Sequence, residues 1–305
     1  MGLVIVLIAL VAGFSLATGH FFSLTTARSL ANQAPDGLLL ATGLTFVILT
    51  GGIDLSVGSV LGLSGAVFGT LLVQSKLPLP LAAAGAVATG GLCGLANGWV
   101  SVRWRLPSFI VTLAMLEMAR GATYLVTNSQ TLYLGTAVDA ITRDLAGGLG
   151  APIFFAIAIV AASHVVLGHV VFGRRIFAVG VNDEAARLAG IDPGRVRTAA
   201  FLISGALAGA AAVVQTGRLA AADPNAGMGL ELEAIAAVVI GGASLTGGRG
   251  SVISSALGAL VMLVLGAGLA QMGVQEPTRR LVTGAVIVTA AVADQLRRRG
   301  ARAES

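Results

Sequence analysis

Long apolar stretches separated by short polar connections run through the whole chain. A bilayer core of about 30 Å requires roughly 20 apolar residues per helix, and this pattern predicts about ten such segments, with eight or nine crossings also possible. The candidate spans are Leu3–Ala17, Gly37–Gly51, Val57–Val73, Leu79–Val100, Pro107–Val126, Pro152–Val171, Ala199–Thr216, Leu230–Ala243, Ser251–Gln271 and Thr278–Ala293. The sequence therefore predicts an all-α, polytopic membrane helix bundle.

The second, third and eighth candidate spans are short and rich in glycine. Short, glycine-interrupted segments are typical of discontinuous helices, which usually line a cavity. The pairs Gly51–Gly52 and Gly241–Gly242 mark two such interruptions. We therefore expect these glycines to let helices break or pack closely beside a solute pathway.

Composition strengthens the membrane interpretation. Only 11% of the 305 residues are charged, 56% are hydrophobic, and 42 are glycine, whereas soluble domains carry about 25% charged residues. The numbers exclude a cytosolic enzyme, a disulfide scaffold and a disordered chain. The connections leave no room for a soluble domain, so residues 1–305 are interpreted as one transmembrane domain. The N-terminal stretch lacks a basic leader and is interpreted as a first span rather than a signal peptide.

The positive charges predict the orientation of the chain. With the N-terminus inside, twelve arginines lie on the cytoplasmic side, six Lys or Arg residues lie outside, and Arg120 lies in a span. The inner set is Arg103, Arg105, Arg174, Arg175, Arg187, Arg195, Arg197, Arg249, Arg297, Arg298, Arg299 and Arg302; the outer set is Arg28, Lys76, Arg143, Arg218, Arg279 and Arg280. The positive-inside rule then predicts that both termini are cytoplasmic. This distribution indicates membrane topology rather than a nucleic-acid-binding face.

The longest polar connection on the predicted inner side covers residues 172–198. Within it, Asn182 or Asp183 can cap a short helix and Gly190 can end it. We expect a two-turn amphipathic helix on the cytoplasmic face. Since ordering a loop costs conformational entropy, such a helix normally docks against something, although a loop that only fixes topology is an equal alternative.

Motifs for enzymatic chemistry are absent. The only lysine, Lys76, lies outside any glycine-rich phosphate loop, so the chain is predicted to hold no ATPase site. His20, His164, His169 and Cys93 do not have the spacing of a metal site. The expectation is a transport protein without a metal or cofactor of its own.

Ionisable and polar residues near the predicted spans are candidates for the pathway, because burying them is costly. Asp54 lies between two short spans, where Ser56 can cap the following helix. Glu117 is a further candidate, although its spacing from Arg120 suits an ion pair on one helical face. The remaining candidates flank the start of the eighth span: Asp223, Asn225, Glu231 and Glu233. A solvated loop is an equal interpretation of that last group.

An internal similarity relates the segment around residue 50, VILTGGIDLSVGSVLGLSGA, to the segment around residue 242, VVIGGASLTGGRGSVISSALGA. Duplicated halves are common in transporters. Under the predicted topology the two segments run parallel rather than inverted.

Three motifs together resemble one family. TGGIDLSVGS (50–59), GRRIFAVGVNDEAARLAGI (173–191) and GLELEAIAAVVIGGASLTGGRGS (229–251) occur in the order of the ribose-type permeases of bacterial ABC importers. The resemblance extends from about Phe21 to the C-terminus. It implies a ten-helix permease of the inner membrane that conducts a monosaccharide, either a ribose-like sugar or a related polyol.

The resemblance also implies partners. These are a second permease subunit in a homodimer or heterodimer, one or two ABC ATPase subunits that use ATP and Mg²⁺, and a periplasmic or lipid-anchored binding protein. It makes the 172–198 helix a coupling helix, formed by Asn182, Glu184, Ala185, Ala186, Gly190 and Ile191. The small Ala185 and Ala186 would let it fit closely into a groove of the ATPase.

Two alternatives remain at this point. The permease could serve another solute, such as a branched-chain amino acid or a furanose signal molecule. It could also be a stand-alone secondary transporter, with Asp54 or Glu117 as its proton site.

Overall fold

The computed structural model describes residues 2–303, except the side chains of residues 290, 291 and 293–303. Helices dominate it. They are α1 (Gly2–Thr18), α2 (Leu24–Leu49), α3 (Val57–Gly69), α4 (Leu79–Arg103), α5 (Ser108–Thr127), α6 (Ala151–His169), α7 (Val171–Val181), α8 (Asp183–Leu188), α9 (Pro193–Leu219), α10 (Leu230–Ile240), α11 (Val252–Gln271) and α12 (Glu276–Ala303). One π-turn, Thr70–Gln74, extends α3. The mostly helical bundle confirms the predicted class.

Four very short strands supplement the helices. β1 (Leu132–Tyr133) pairs antiparallel with β4 (Ala221–Ala222), and β2 (Asp144–Ala146) pairs with β3 (Leu149–Gly150). The sequence analysis did not predict these strands, because two or three residues are too few for a recognisable alternation.

The long helices run between two ends of the bundle. The end that gathers the connections 50–56, 104–107, 170–192 and 241–251 is called the arginine-rich end. The other end gathers the connections 19–23, 75–78, 128–150, 220–229 and 272–275, and is called the hairpin end because it holds the four strands. Hydrogen bonds between distant residues show which connections lie at the same end. At the arginine-rich end the Gly248 amide donates to the Leu49 carbonyl at 2.9 Å. At the hairpin end the Gln271 side-chain amide lies 3.3 Å from the Thr26 hydroxyl.

Among the residues that the structure describes, six helical segments are long and apolar enough to span a membrane. They are Val57–Gln74, Leu79–Arg103, Ser108–Thr127, Ala151–His169, Pro193–Leu219 and Val252–Gln271. They correspond to six of the ten predicted spans. The total of eight to ten spans and the cytoplasmic position of both termini stay predictions.

Two predicted helix starts were wrong. α2 begins at Leu24, not at Gly37, and contains Pro35 in its interior, so the second span is long rather than short. α9 begins at Pro193, capped by Asp192, instead of at Ala199. The polar residues Asp36 and Arg197 interrupt the apolar sequence, and the prediction therefore started each helix after its polar residue instead of before it.

Close packing of α4 against α9 forms one side of the bundle. Gly90 and Gly94 of α4 face Gly205 and Gly209 of α9, and a Cβ added at Gly94 would lie 3.1 Å from the Gly205 Cα. Small residues four apart let two helix backbones approach directly. This contact fixes α9, which also packs against the central helix α2.

The connection between α2 and α3 is extended and buried in the bundle. The Ser108 hydroxyl accepts from the Ile53 amide at 2.9 Å, and the Thr112 hydroxyl accepts from the Leu55 amide at 3.1 Å. Asp54 lies beside Ser204, which is eleven residues and therefore about 16 Å along α9 from its start. Non-helical backbone at this depth is tolerated because side chains satisfy its hydrogen bonds.

A second non-helical segment enters the bundle from the hairpin end. The connection 223–229 passes beside α3, where Gly58 and Gly62 leave room for the backbone of Gly227 and Ala226. The two irregular segments therefore approach each other at the start of α3. The predicted glycine pairs lie elsewhere: Gly51–Gly52 follows the end of α2, and Gly241–Gly242 follows the end of α10.

Candidate functional site

A polar cavity of about 210 Å³ opens between α2, α9, α10 and α11 toward the hairpin end. Its polar lining consists of Gln33, Asp36, Gln215, Arg218 and Glu233. Its apolar lining includes Leu40, Met262 and Leu263.

An ion pair forms one wall of this cavity. The Arg218 Nη2 atom donates to Asp36 Oδ2 at 2.8 Å, and the Gln215 amide lies 3.3 Å from the same oxygen. The Asp36 side chain is only 8% exposed. Asp36 Oδ1 and Arg218 Nε have no hydrogen-bond partner among the described residues. The pair therefore retains unused hydrogen-bonding capacity beside an open volume.

The sequence analysis identified only Glu233 of this group. It assigned Arg218 to an outer loop and missed Gln33, Asp36 and Gln215. Asp36 lies one residue before the predicted second span, so it was not recognised as a charge inside a helix. A carboxylate flanked by apolar residues in SLANQAPDGLLLATG was the available signal, and the partner lies 182 positions away.

Asp54 and Ser56 lie together in a fully buried cluster. The Ser56 hydroxyl donates to Asp54 Oδ1 at 2.6 Å, and the Asn97 amide donates to the Ser56 hydroxyl at 2.9 Å. The Ser204 hydroxyl donates to Asp54 Oδ2 at 3.3 Å. Ser56 occupies the predicted N-cap position of α3, but its side chain makes no cap hydrogen bond, because the hydroxyl is engaged by the carboxylate. The cluster holds the extended connection against α4 and α9.

The loop before α10 is held in place by α5. The Arg120 guanidinium donates to the carbonyls of Ala226 at 2.8 Å and Pro224 at 3.3 Å, and the Tyr124 hydroxyl donates to Asn225 Oδ1 at 2.8 Å. The predicted pairing of Glu117 with Arg120 is therefore wrong. Glu117 is exposed on the outer face of α5, away from the cavity, because Arg120 turns inward to the loop carbonyls.

Within that loop, Asp223 and Glu231 organise the backbone. Asp223 Oδ1 accepts from the Asn225 amide at 2.8 Å, and Glu231 Oε1 accepts from the Gly229 amide at 3.2 Å. Glu231 Oε2 is buried without a partner among the described residues. Asp223 and Asn225 thus lie in the irregular segment beside α3, Glu231 lies in the first turn of α10, and Glu233 alone of the four lines the cavity.

The four predicted glycines lie at the arginine-rich end. Gly51 and Gly242 have φ values of +79° and +82°, which favour glycine. Gly52 packs against Phe201, and Gly241 packs against the backbone of Ser254 and Ser255. They permit two sharp turns that touch each other, since a Cβ on Gly51 would lie 3.5 Å from the Thr246 carbonyl oxygen. The two internally similar segments thus lie side by side.

The predicted short helix is present as α8. Asn182 Oδ1 accepts from the Glu184 and Ala185 amides at 2.9 and 3.0 Å, and Gly190 follows the helix at φ +77°. Ala186 is buried at 3% exposure in a core shared with Val196. The expectation that Ala186 fits into a partner is therefore wrong, because this methyl group packs within its own chain.

The outward face of α8 consists of other residues. Glu184 and Ala185 are exposed, and Leu188 is 87% exposed. Ile191, which follows the helix, is half-buried against the same core as Ala186. Leu188, which the sequence analysis did not select, is the apolar group that α8 presents outward.

Arg197 connects α8 to the turn that follows α2. Its guanidinium lies 2.7 Å from Asp183 Oδ2 and 3.0 Å from Oδ1, and it approaches the Thr50 carbonyl oxygen at 3.4 Å. A bidentate pair of this kind fixes orientation as well as distance. Arg197 therefore links α8 to the segment that leads to Asp54.

Residues 26–291 match the family described as branched-chain amino acid transport system / permease component. The chain belongs to this permease family. The permease is 36% identical over 297 residues to the ribose import permease protein of Escherichia coli (strain K12), covering 95% of this chain and 92% of that protein. It is 34% identical over 306 residues to the L-arabinose ABC transporter permease protein of Azospirillum brasilense, with 99% and 89% coverage.

A third relative is the fructose import permease protein of Rhizobium meliloti, which is 33% identical over 302 residues, with 96% of this chain and 84% of that protein covered. No solved structure matches the chain. Family membership identifies the permease as a multi-pass membrane transport subunit and not an enzyme. It also implies an ATPase and a solute-binding protein as partners.

Proposed function

We propose that this permease forms the translocation pathway for a monosaccharide, a ribose-like sugar or related polyol, in an ATP-driven importer. Similarity over nearly the full length to permeases named for ribose, arabinose and fructose carries the proposal. The polar cavity supports it, because two carboxylates, a guanidinium and two amides offer donors and acceptors suited to hydroxyl groups.

The proposed orientation has ten crossings and places both termini in the cytoplasm. The arginine-rich end then faces the cytoplasm and the hairpin end faces the periplasm or cell exterior. The charge distribution supports this assignment, because the connections at the arginine-rich end contain Arg105, Arg174, Arg175, Arg187 and Arg249. The predicted inner residues Arg297, Arg298, Arg299 and Arg302 have side chains outside the description.

In this orientation the cavity beside Asp36 and Arg218 receives solute from the binding protein. The path continues toward the two irregular segments that meet at Gly58 and Gly227. Transporter pathways are commonly lined by such interrupted helices. The buried Asp54 cluster keeps the inner segment in position, so its role is to support the pathway rather than to bind the sugar.

The proposed coupling contact is the outer face of α8, centred on Leu188 and Ala185, with Glu184 at its rim. An exposed leucine on a short helix suits insertion into an apolar groove of the ATPase. Arg197 then carries the displacement to the α2–α3 connection. We infer that ATP and Mg²⁺ are bound by the ATPase and that two permease subunits, identical or different, complete the pathway.

Transport by the reconstituted system tests the proposal. Proteoliposomes would contain the permease with the ATPase and binding protein of its importer, and uptake of radiolabelled ribose, arabinose, fructose and leucine would be measured. Sugar uptake that requires ATP and both partners is the expected result. Glu117→Gln is the matched control for charge removal and should leave uptake unchanged.

Other outcomes identify the alternatives. Leucine uptake without sugar uptake would establish an amino-acid permease. Uptake driven by a proton gradient in liposomes that contain the permease alone would establish a secondary transporter, and would also refute the coupling role of α8.

A further inference from the structure

A second polar cavity, of about 400 Å³, lies at the arginine-rich end. It is bounded by the turn at Gly51–Gly52, the α4–α5 connection, and the start of α9 around Gly194. Arg105, Arg187 and Arg197 line it, and it is separate from the cavity beside Asp36 and Arg218.

The positive charge in this cavity is only partly neutralised. Arg197 is paired with Asp183. Arg105 and Arg187 are both exposed, and neither forms an ion pair within the described part of the chain. Two unpaired guanidinium groups at one cavity favour an anionic ligand, and their planar forks suit phosphate oxygens.

Arg105 is held at the rim by a defined turn. Its backbone has φ +54°, in the left-handed region that arginine rarely adopts. Hydrogen bonds close the turn on either side: the Leu106 amide donates to the Ser101 carbonyl at 3.0 Å, and the Ser101 hydroxyl donates to the Leu106 carbonyl at 2.9 Å. The guanidinium of Arg105 is thus presented from a constrained position.

Aromatic residues indicate the level of the membrane at this cavity. Trp99 and Trp104, the only tryptophans in the chain, are 54% and 56% exposed, and their rings stack edge-to-face at 5.1 Å. Tryptophan is enriched at the membrane–water interface. The apolar side chains of Leu106 and Phe109 are also exposed there. The cavity therefore opens beside surfaces suited to acyl chains.

We propose that this cavity binds the phosphate headgroup of an anionic phospholipid of the cytoplasmic leaflet, such as phosphatidylglycerol or cardiolipin. Basic pockets between membrane helices on the cytoplasmic side have this chemistry. The exposed apolar rim favours a lipid over a soluble phosphate or an acidic protein segment. The inference rests on the proposed orientation, since the arginine-rich end must face the cytoplasm.

A bound headgroup would join two parts of the permease that share few contacts. Arg105 belongs to the α4–α5 connection, while Arg187 belongs to α8. A phosphate held by both would restrain α8 relative to the bundle. Transport coupling would then depend on the anionic lipid content of the membrane.

The two tryptophans provide a local probe of this site. The purified permease would be placed in nanodiscs in which brominated lipid, which quenches tryptophan fluorescence on contact, replaces part of a phosphatidylcholine background. Brominated phosphatidylglycerol should quench more strongly than brominated phosphatidylcholine at the same mole fraction. Arg105→Gln should weaken this preference about fivefold, as expected for the loss of one basic contact.

Matched variants separate the cavity from diffuse surface charge. Arg103→Gln removes a charge two residues away that does not line the cavity, and should retain the preference. Arg105→Lys should retain part of it. Gel filtration and the tryptophan emission maximum verify that each variant is folded.

Several results would overturn the proposal. Equal quenching by the two brominated lipids would show that no anionic lipid is selected. Equal losses in Arg103→Gln and Arg105→Gln would indicate diffuse attraction, and relief of quenching by millimolar inorganic phosphate would identify a soluble anion. If Arg105→Gln weakened ATPase binding but not quenching, the cavity would belong to the protein partner. Inverted cysteine labelling at the two ends would refute the orientation separately.

Discussion

The bidentate contact between Arg197 and Asp183 makes a specific prediction about energy coupling. Asp183→Asn removes the carboxylate charge while leaving the cap of α8 intact, because Asn182 supplies that cap. The guanidinium would keep its 3.4 Å approach to the Thr50 carbonyl but lose its hold on α8. The ATPase should still dock and hydrolyse ATP, whereas the movement of α8 should reach the α2–α3 connection less efficiently.

The magnitude follows from the exposure of the pair. Its two side chains are 33% and 34% exposed, so it lies between a solvated ion pair, worth about 0–1 kcal/mol, and a buried charged hydrogen bond, worth about 1.5–3 kcal/mol. A value of about 1–1.4 kcal/mol is appropriate. Taken as the free energy that favours the coupled position of α8, this value corresponds to a fall of about five- to tenfold in the number of sugar molecules imported per ATP hydrolysed in Asp183→Asn. The fall should be smaller in Arg197→Lys, which keeps the charge but not the fork.

The assay measures uptake and phosphate release in the same proteoliposomes. Asp192→Asn is the matched control, because it removes the charge from an exposed ion pair with Arg195. The Arg195 side chain is 89% exposed and the Asp192 side chain 56% exposed. Asparagine also preserves the cap of α9. An unchanged uptake-to-hydrolysis ratio in Asp183→Asn, or an equal decrease in the control, would refute the transmission role of Arg197.

Three further predictions concern packing, the cavity and topology. Gly94→Ala should lower the free energy of unfolding by about 1–3 kcal/mol, because the added methyl group would meet the backbone of α9. The measurement is the thermal midpoint, determined by gel filtration after heating. Gly91→Ala should be tolerated, because the nearest neighbour of its added methyl group is a side-chain atom at 3.4 Å. Asp36→Asn should raise the KM for sugar uptake, and an unchanged KM would exclude this wall from the pathway. On a cysteine-free background, Lys76→Cys should react with an impermeant maleimide on intact cells and Arg187→Cys should not; the reverse pattern would invert the topology.

The sequence predicted helix bounds best where polar connections flank a long, mostly apolar segment. The structure places α4, α5, α6 and α11 within three residues of their predicted bounds, since length and hydropathy decide such segments. The cap at Asn182 was also predictable, because its side chain accepts hydrogen bonds from amides only two and three residues later in the sequence.

Features formed by distant residues were not predictable. The pairing of Asp36 with Arg218 and the hold of Arg120 on the loop carbonyls depend on helices that are adjacent only in the folded bundle. For the same reason the sequence showed that Ala186 is small but not that its methyl group faces inward. A polar residue inside a helix was interpreted as a boundary because nothing local reveals its partner.

The glycine contact between α4 and α9 also has a consequence for biosynthesis. α4 ends at Arg103 and α9 begins at Pro193, roughly ninety residues later. At bacterial rates of translation the ribosome needs on the order of ten seconds to make that stretch. During this interval the nascent α4 lies in the membrane without its packing partner, and the surface at Gly90 and Gly94 is not covered by α9. A chain arrested before α9 therefore presents an unpaired helix to chaperones and membrane proteases.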